Sequence, residues 1–373
     1  MVVAAPVPRF LAKLANQLWP DDGETQTRFT QALLDPQPLP TGIAWCRPRP
    51  EPLPFPVLPA LTWQPSWVDR LAPDVQPGRH PLHNRGYYYC LDMSSVFAGA
   101  VLGAIAVAQP VVIDLCAAPG GKSVLAWRYL QPGLLIANEP IGKRVRTLLS
   151  NWRRCHIPGV VVQQDPATLA QRLAHTADVV IVDAPCSGQS LLAKGVKNPG
   201  CFHPRIVRWN RQRQRKILAH AVQLLKPGGY LAYMTCTYSL EENEANGQWL
   251  LTRFPDLQPI AVPLLAAYQS PWADFPCYRL WPQTGEGAGA FTCLWQLQLA
   301  GPEAQVNWEW LQQVNMSAAP VEIQINSDET GGGENAHDKV KDRPPDGDSN
   351  EPSTDDFPSA DESPAGGGGH VLE

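Results

Sequence analysis

Five short, largely apolar runs punctuate the middle of the chain, and they leave few folds open: VVIDL (111–115), LLIAN (134–138), VVVQQ (160–164), VVIVDA (179–184) and YLAYMTCT (230–237). A strand with one wet face alternates apolar and polar residues, whereas a strand covered on both faces does not. Amphipathic segments of helical length lie between the runs, at 141–153, 205–226 and 241–253. Alternating buried strands and helices imply a parallel sheet covered on both sides, an α/β, doubly wound, Rossmann-like fold. A last β-like run, FTCLWQLQL (291–299), is expected at the sheet edge.

The flanks read differently. Phe10, Leu11, Leu14 and Leu18 recur at helical spacing, and Phe29, Ala32 and Leu33 suggest a second short helix, a small N-terminal cap. Thirteen prolines between Pro36 and Pro81 exclude regular helices there, leaving extended chain over the domain surface anchored by Trp45, Trp63 and Trp67. The expected division is therefore 1–85 for the helical cap and Pro-rich segment, 86–300 for the Rossmann-like domain, and 301–373 for a linker and acidic tail. The last 53 residues carry a net charge of −11 of the chain's −5, so residues 1–320 stand at +6, a balance that suits a polyanionic partner. The tail is too poor in apolar residues to offset its ordering entropy and is expected to be disordered.

Nine cysteines, an odd number with no CxxC pair, argue for a reducing compartment and against a zinc site. No run approaches the roughly 18 apolar residues of a membrane span. A soluble, cytoplasmic and monomeric protein, with no membrane or metal partner, is the expectation.

The first strand runs into Asp114-Leu115-Cys116-Ala117-Ala118-Pro119-Gly120-Gly121-Lys122-Ser123 and then a helix. A phosphate-binding P-loop would need glycine where Cys116 stands. Small residues at this strand-to-helix turn instead let a cofactor approach the backbone, although a tight turn with no ligand reads the same way. Glu139, Asp165 and Asp183 follow at the ends of the next strands. A carboxylate at the second strand end can accept both ribose hydroxyls of an adenosine cofactor.

Two cysteine motifs close the following strands: Asp183-Ala184-Pro185-Cys186-Ser187-Gly188, and Thr235-Cys236-Thr237-Tyr238-Ser239 with Glu241-Glu242-Asn243-Glu244 behind it. If those strands are neighbours, both thiols face the crevice, whereas either cysteine alone would read as an inert core residue. Helix 205–226 gathers Arg205, Arg208, Arg211, Arg213, Arg215 and Lys216 around Trp209, a pattern equally compatible with phosphate contact and with a solvated face.

DLCAAPGGKS, NEP with the later Arg144, Asn151 and Arg154, DAPCSG, LKPGGYLAYMTCTYSLEENE, and RLWP with Gly289-Ala290-Phe291 together resemble the Sun/Nop RNA cytosine-5 methyltransferase family, closest to its bacterial RsmB and RsmF-like members. The resemblance covers about 86–299. It implies an S-adenosylmethionine-dependent enzyme acting on RNA, ribosomal RNA first and transfer RNA second. It implies Cys236 as nucleophile at cytosine carbon 6, Asp183 on the N3 edge, Lys122 beside the base and cofactor, and Cys186 in product release. Cys116, Ala117, Ala118, Pro119, Gly120, Gly121, Lys122, Glu139, Asp165 and Asp183 would bind the cofactor. Leu91, Gln189-Ser190 and Ala193-Lys194 depart from the family's usual residues in loops expected to face RNA. The competing expectations are methylation of another base atom, or an RNA-binding assembly factor without turnover.

Overall fold

The computed structural model describes residues 7–299, 301 and 304–317, so the expected disordered tail lies outside the described residues. The chain opens with helices α1 (Arg9–Leu18) and α2 (Gly23–Leu34), the second capped by the Asp22 carboxylate, which accepts from the Thr25 backbone N–H. Phe29 of α2 packs edge-on against Tyr238, ring centroids 5.0 Å apart, and against Trp281 at 5.9 Å. The cap thereby buttresses the loop that follows Cys236.

The Pro-rich segment is extended, as its composition requires, but it does more than lie over the domain surface. Strands β1 (Thr41–Trp45), β2 (Val68–Leu71) and β3 (Tyr88–Asp92) form a separate antiparallel sheet in the order β2-β1-β3. The prolines lie in the connections, so each strand keeps its backbone donors. Trp45 and Trp63 are buried. A one-turn helix α3 (Pro81–Asn84) precedes β3. Pairing of Trp45 with Tyr88 carries the sheet across the expected boundary at residue 85, and the described residues fall in one compact unit.

After α4 (Met93–Gly99) the chain alternates: β4 (Val111–Asp114), α5 (Gly121–Leu130), β5 (Leu134–Asn138), α6 (Gly142–Cys155), β6 (Val160–Val162), α7 (Pro166–Arg172), β7 (Ala177–Asp183), α8 (Pro204–Leu224), β8 (Leu225–Thr235) and α9 (Glu244–Arg253). β9 (Leu257–Pro259), β10 (Tyr278–Leu280), β11 (Ala290–Leu297) and α10 (Trp308–Val314) follow. The main sheet runs β10-β11-β8-β7-β4-β5-β6, with β9 paired to β11. The five apolar runs are parallel neighbours, and β11 joins β8 antiparallel.

Side chains alternate between two cores, as the two-residue period of a strand dictates. Val112, Ala137, Ile181 and Met234 face Phe97, Leu125 and Leu148 on α4, α5 and α6. Ile113, Ile136, Val180 and Tyr233 face Leu169, Leu218 and Leu250 on α7, α8 and α9. Each fully buried aliphatic side chain contributes roughly 1.5–3 kcal/mol. The chain leaves β4 toward β5 and β6, then returns to build β7 and β8 on the other side. That reversal opens a crevice at the carboxyl ends of β4 and β7.

Candidate active site

One wall of the crevice is the turn between β4 and α5. Asp114 ends β4 with no exposed surface, accepting from Ser123 Oγ at 2.7 Å and the Cys116 N–H at 3.4 Å. Burial pushes its carboxyl up to about 7 despite the Ser123 bond. The turn is tied to β5 by Ala117 N–H donating to the Asn138 carbonyl at 2.8 Å, and by the Asn138 side chain donating to the Leu115 carbonyl at 3.2 Å. Gly120 has φ +117°, and a Cβ there would stand 3.2 Å from Leu148 and 3.3 Å from Trp152. No other residue fits both the backbone angle and the space. Arg144 and Asn151 donate to the Ala118 and Pro119 carbonyls at 2.5 and 2.9 Å, so two polar residues of the resemblance hold this turn from α6.

Glu139 is buried beside the turn. Its Oε1 accepts from the Ile141 N–H at 3.1 Å. Its Oε2 is ion-paired with Arg144 Nη1 at 3.0 Å but accepts no hydrogen bond. A buried carboxylate oxygen on a crevice wall that accepts no hydrogen bond suits a ligand hydroxyl. Asp165 caps α7, its Oδ1 accepting from the Ala167 N–H at 2.8 Å.

The other wall is formed by the ends of β7 and β8. Their parallel pairing brings the two cysteine motifs together, with Cys186 Sγ 3.2 Å from Cys236 Sγ. The hydrogen bond the two thiols share pulls Cys236 below its ordinary value and pushes Cys186 well above its own, an asymmetry that favours Cys236 as the more readily ionised of the two. Lys122 Nζ reaches across from α5 to Asp183 Oδ2 at 3.1 Å. Cys236 is exposed to the crevice, while Lys122 is buried.

Beneath the thiols lies a carboxylate that the motifs alone did not mark. Glu242, fully buried, accepts from the Ser187 N–H at 2.9 Å, Ser187 Oγ at 2.5 Å and Gln214 Nε2 at 2.9 Å. Burial raises its pKa, against those three donors. Ser187 Oγ also meets Thr237 Oγ1 at 2.8 Å. Glu242 therefore fixes the turn after Cys186 to the turn after Cys236. Its only sequence signal was an acid six residues beyond Cys236, in a segment read as a helix start.

The crevice encloses about 600 Å³ and is lined by Cys116, Ala118, Pro119, Glu139, Asp165, Asp183, Cys186 and Cys236, together with Pro140, Arg144, Arg213 and Lys216. Of the sequence-expected residues, Ala117, Gly120, Gly121 and Lys122 shape the wall without lining it. The departures from the family pattern have structural partners. Gln189 accepts from the Tyr238 N–H at 3.0 Å and donates to the Cys201 carbonyl at 3.1 Å. Lys194 pairs with Asp92 at 2.5 Å. Leu91 packs over Gly121, where an added Cβ would meet it at 2.7 Å. Among the described residues, no group of three or more His, Cys, Asp or Glu is placed to hold a metal, and no helix is long and apolar enough to cross a membrane.

A doubly wound sheet with a glycine turn after its first parallel strand, acids at successive strand ends and an antiparallel β11 beside β8 has the architecture of a Rossmann-like methyltransferase. The 16S rRNA methyltransferase RsmB/F family model matches residues 106–296, and the chain belongs to that family. Over 192 residues it is 34% identical to ribosomal RNA small subunit methyltransferase F of Klebsiella pneumoniae, covering 51% of this chain and 40% of that protein. The corresponding Escherichia coli O7:K1 protein is 35% identical over 193 residues, with the same coverage. These matches thus span less than half the length of the curated relatives. A methyltransferase homolog protein from Pyrococcus horikoshii has a similar fold, with TM-score 0.61, 22% identity, and coverage of 78% of this chain and 95% of that one. NSun6 from the same organism, solved with SFG, gives TM-score 0.60 at 19% identity, covering 79% and 99%.

Proposed function

We propose that the protein is an S-adenosylmethionine-dependent RNA (cytosine-5)-methyltransferase acting on ribosomal RNA, with Cys236 as the covalent nucleophile. The observation that carries this reading is the Cys186–Cys236 contact at 3.2 Å beside the Lys122–Asp183 pair. Carbon 5 of cytosine is a poor nucleophile until a group adds at carbon 6. Cys236, held toward its thiolate by the Cys186 thiol, forms the sulfur–carbon 6 bond and makes carbon 5 electron-rich. Asp183 faces the same space and hydrogen-bonds the N3 edge, sharing a proton with the nitrogen that gains electron density. Lys122 orients Asp183 and offsets the developing charge.

The bound cofactor supplies the methyl group as an activated sulfonium. Glu139, whose Oε2 accepts no hydrogen bond, and Asp165 would hold its nucleoside end, and the 116–121 turn would hold its amino-acid end. After methylation solvent water takes the carbon 5 proton, the C–H electron pair re-forms the carbon 5–carbon 6 double bond, and the sulfur–carbon 6 bond breaks with its pair returning to Cys236. Cys186, in contact with that sulfur, returns the hydrogen bond that stabilises the departing thiolate. A base must leave its stack to reach such a pocket, which favours single-stranded or looped RNA.

The test is methyl transfer from labelled S-adenosylmethionine to unmodified ribosomal RNA, with the product nucleoside identified by mass spectrometry. Label in 5-methylcytosine from the wild type, absent with Cys236→Ala, is the expected result. Label in another nucleoside, or undiminished transfer by the variant, would overturn the reading.

A further inference from the structure

The basic helix α8 divides into two faces once its contacts are known. Arg211 pairs with Glu241 at 3.3 Å, and Arg215 donates to Asn246 Oδ1 at 2.9 Å while lying over the Trp249 ring. Those two cations are committed to packing α8 against the start of α9. The adjoining stripe carries Arg205, Trp209, Gln212, Arg213, Lys216 and His220, spaced so that they stack along one side of a helix. α8 contains no acidic residue. Among the described residues, Arg205, Arg213 and Lys216 face no carboxylate within ion-pairing distance.

Trp209 is 58% exposed, more than any other large hydrophobic side chain among the described residues. The Arg213 guanidinium lies 5.5 Å from its ring centroid. Arg213, Lys216 and His220 then line the same crevice as Asp183 and Cys236. The stripe is therefore continuous from an open aromatic face to the rim of the thiol site. From Arg205 to Lys216 it extends about 16 Å at the helical rise, long enough to follow more than one phosphate.

We propose that this stripe is where the single-stranded RNA flanking the target nucleotide docks, with a base stacked on Trp209 and its backbone phosphates met by Arg205, Arg213 and Lys216. An exposed aromatic face interleaved with unpaired cations is what an unstacked strand needs: a π-surface for any base, and positive charge along the backbone. The inference rests on the proposed RNA methyltransferase reading and adds to it the surface that the substrate uses.

The test compares wild type, Trp209→Ala, Trp209→Phe and Arg205→Ala, using a fluorescein-labelled single-stranded RNA containing cytidine for affinity and unmodified ribosomal RNA for turnover. Trp209→Ala should weaken RNA binding by about tenfold or more and raise KM for RNA more than it lowers kcat, with Trp209→Phe restoring much of the loss. Arg205→Ala should reduce the slope of log affinity against log salt by about 0.7. Binding of S-adenosylmethionine by calorimetry should not change in any of them. Wild-type protein that neither binds nor methylates RNA would defeat the underlying reading. Wild-type methylation with unchanged RNA binding by Trp209→Ala would overturn the docking surface alone and leave a protein partner as its occupant. Loss of cofactor binding in Trp209→Ala would also overturn it, by making the stripe part of the cofactor pocket.

Discussion

The glycine-turn wall of the crevice takes its shape from backbone packed too closely for side chains, whereas the thiol wall hangs on a polar network gathered from distant segments. Gly120 sits at φ +117° against Leu148 and Trp152, and the turn is tied locally to β5 and α6. Ser187, Gln214 and Glu242 meet from three elements, with contacts spanning 28 and 55 residues of sequence. The first design fixes a surface for binding. The second fixes two reactive atoms relative to each other, a harder constraint that needs buried polar groups satisfied from several directions.

That contrast predicts that chemistry and cofactor binding separate by mutation. The largest effect belongs to Cys236→Ala, which should reduce methyl transfer by about three orders of magnitude or more while leaving S-adenosylmethionine affinity near wild type. Parallel loss of affinity, measured by calorimetry, would show that the walls are not independent.

Glu242→Ala should come next. It strands the Ser187 N–H without an acceptor and removes one of two partners from the Ser187 hydroxyl and the Gln214 amide, a loss of about 3 kcal/mol in thermal stability. Loosening of the thiol contact should also move the pH profile of Cys236 alkylation up toward an ordinary cysteine. Glu242→Gln, which keeps an acceptor, should move it less. An unshifted alkylation profile in Glu242→Ala would reduce Glu242 to a packing role.

Gly120→Ala acts on the other wall. The strained backbone and the 3.2 Å approach to Leu148 should cost about 1–3 kcal/mol and lower cofactor affinity accordingly, with the Cys236 alkylation profile unchanged. An altered profile would argue that the turn also positions the thiols.

The effect spread over the widest pH range concerns Asp114. Burial raises its carboxyl from an ordinary 3.8 to about 7, so its contribution to stability is fully present below pH 3.8 and is lost as pH rises through 7. The resulting decline is at most about 1.4 kcal/mol per pH unit. Thermal melts across that window should show a shallower decline for Asp114→Asn, which has no proton to lose. Parallel wild-type and variant curves would mean that Asp114 is not the titrating group.

Legibility followed the same division. The sheet was readable because burial on both faces writes itself into unbroken apolar runs such as VVIVDA, and the glycine turn because its constraints fall within ten residues. Both cysteines could be singled out from the motifs around them, but their contact depends on which strands pair. Gln214 carries no local signal, and Glu242 only that of an acid near a helix start, where a buried acid looks like a solvated one. The small β2-β1-β3 sheet was hidden for a different reason. Prolines crowd the connection between β1 and β2 and dominate its composition, while the strands themselves are only four or five residues long. The two faces of α8 were likewise indistinguishable until Arg211 and Arg215 found partners and Trp209 did not become buried.

The most direct test of the central claim, that Cys236 attacks and Cys186 assists release, is denaturing electrophoresis of a Cys186→Ala variant incubated with ribosomal RNA and S-adenosylmethionine, followed by mass spectrometry of the retained species. The account predicts a stable protein–RNA conjugate mapped to Cys236 and absent from Cys186→Ala/Cys236→Ala. A conjugate at another residue, or free turnover by Cys186→Ala with no conjugate, would contradict it.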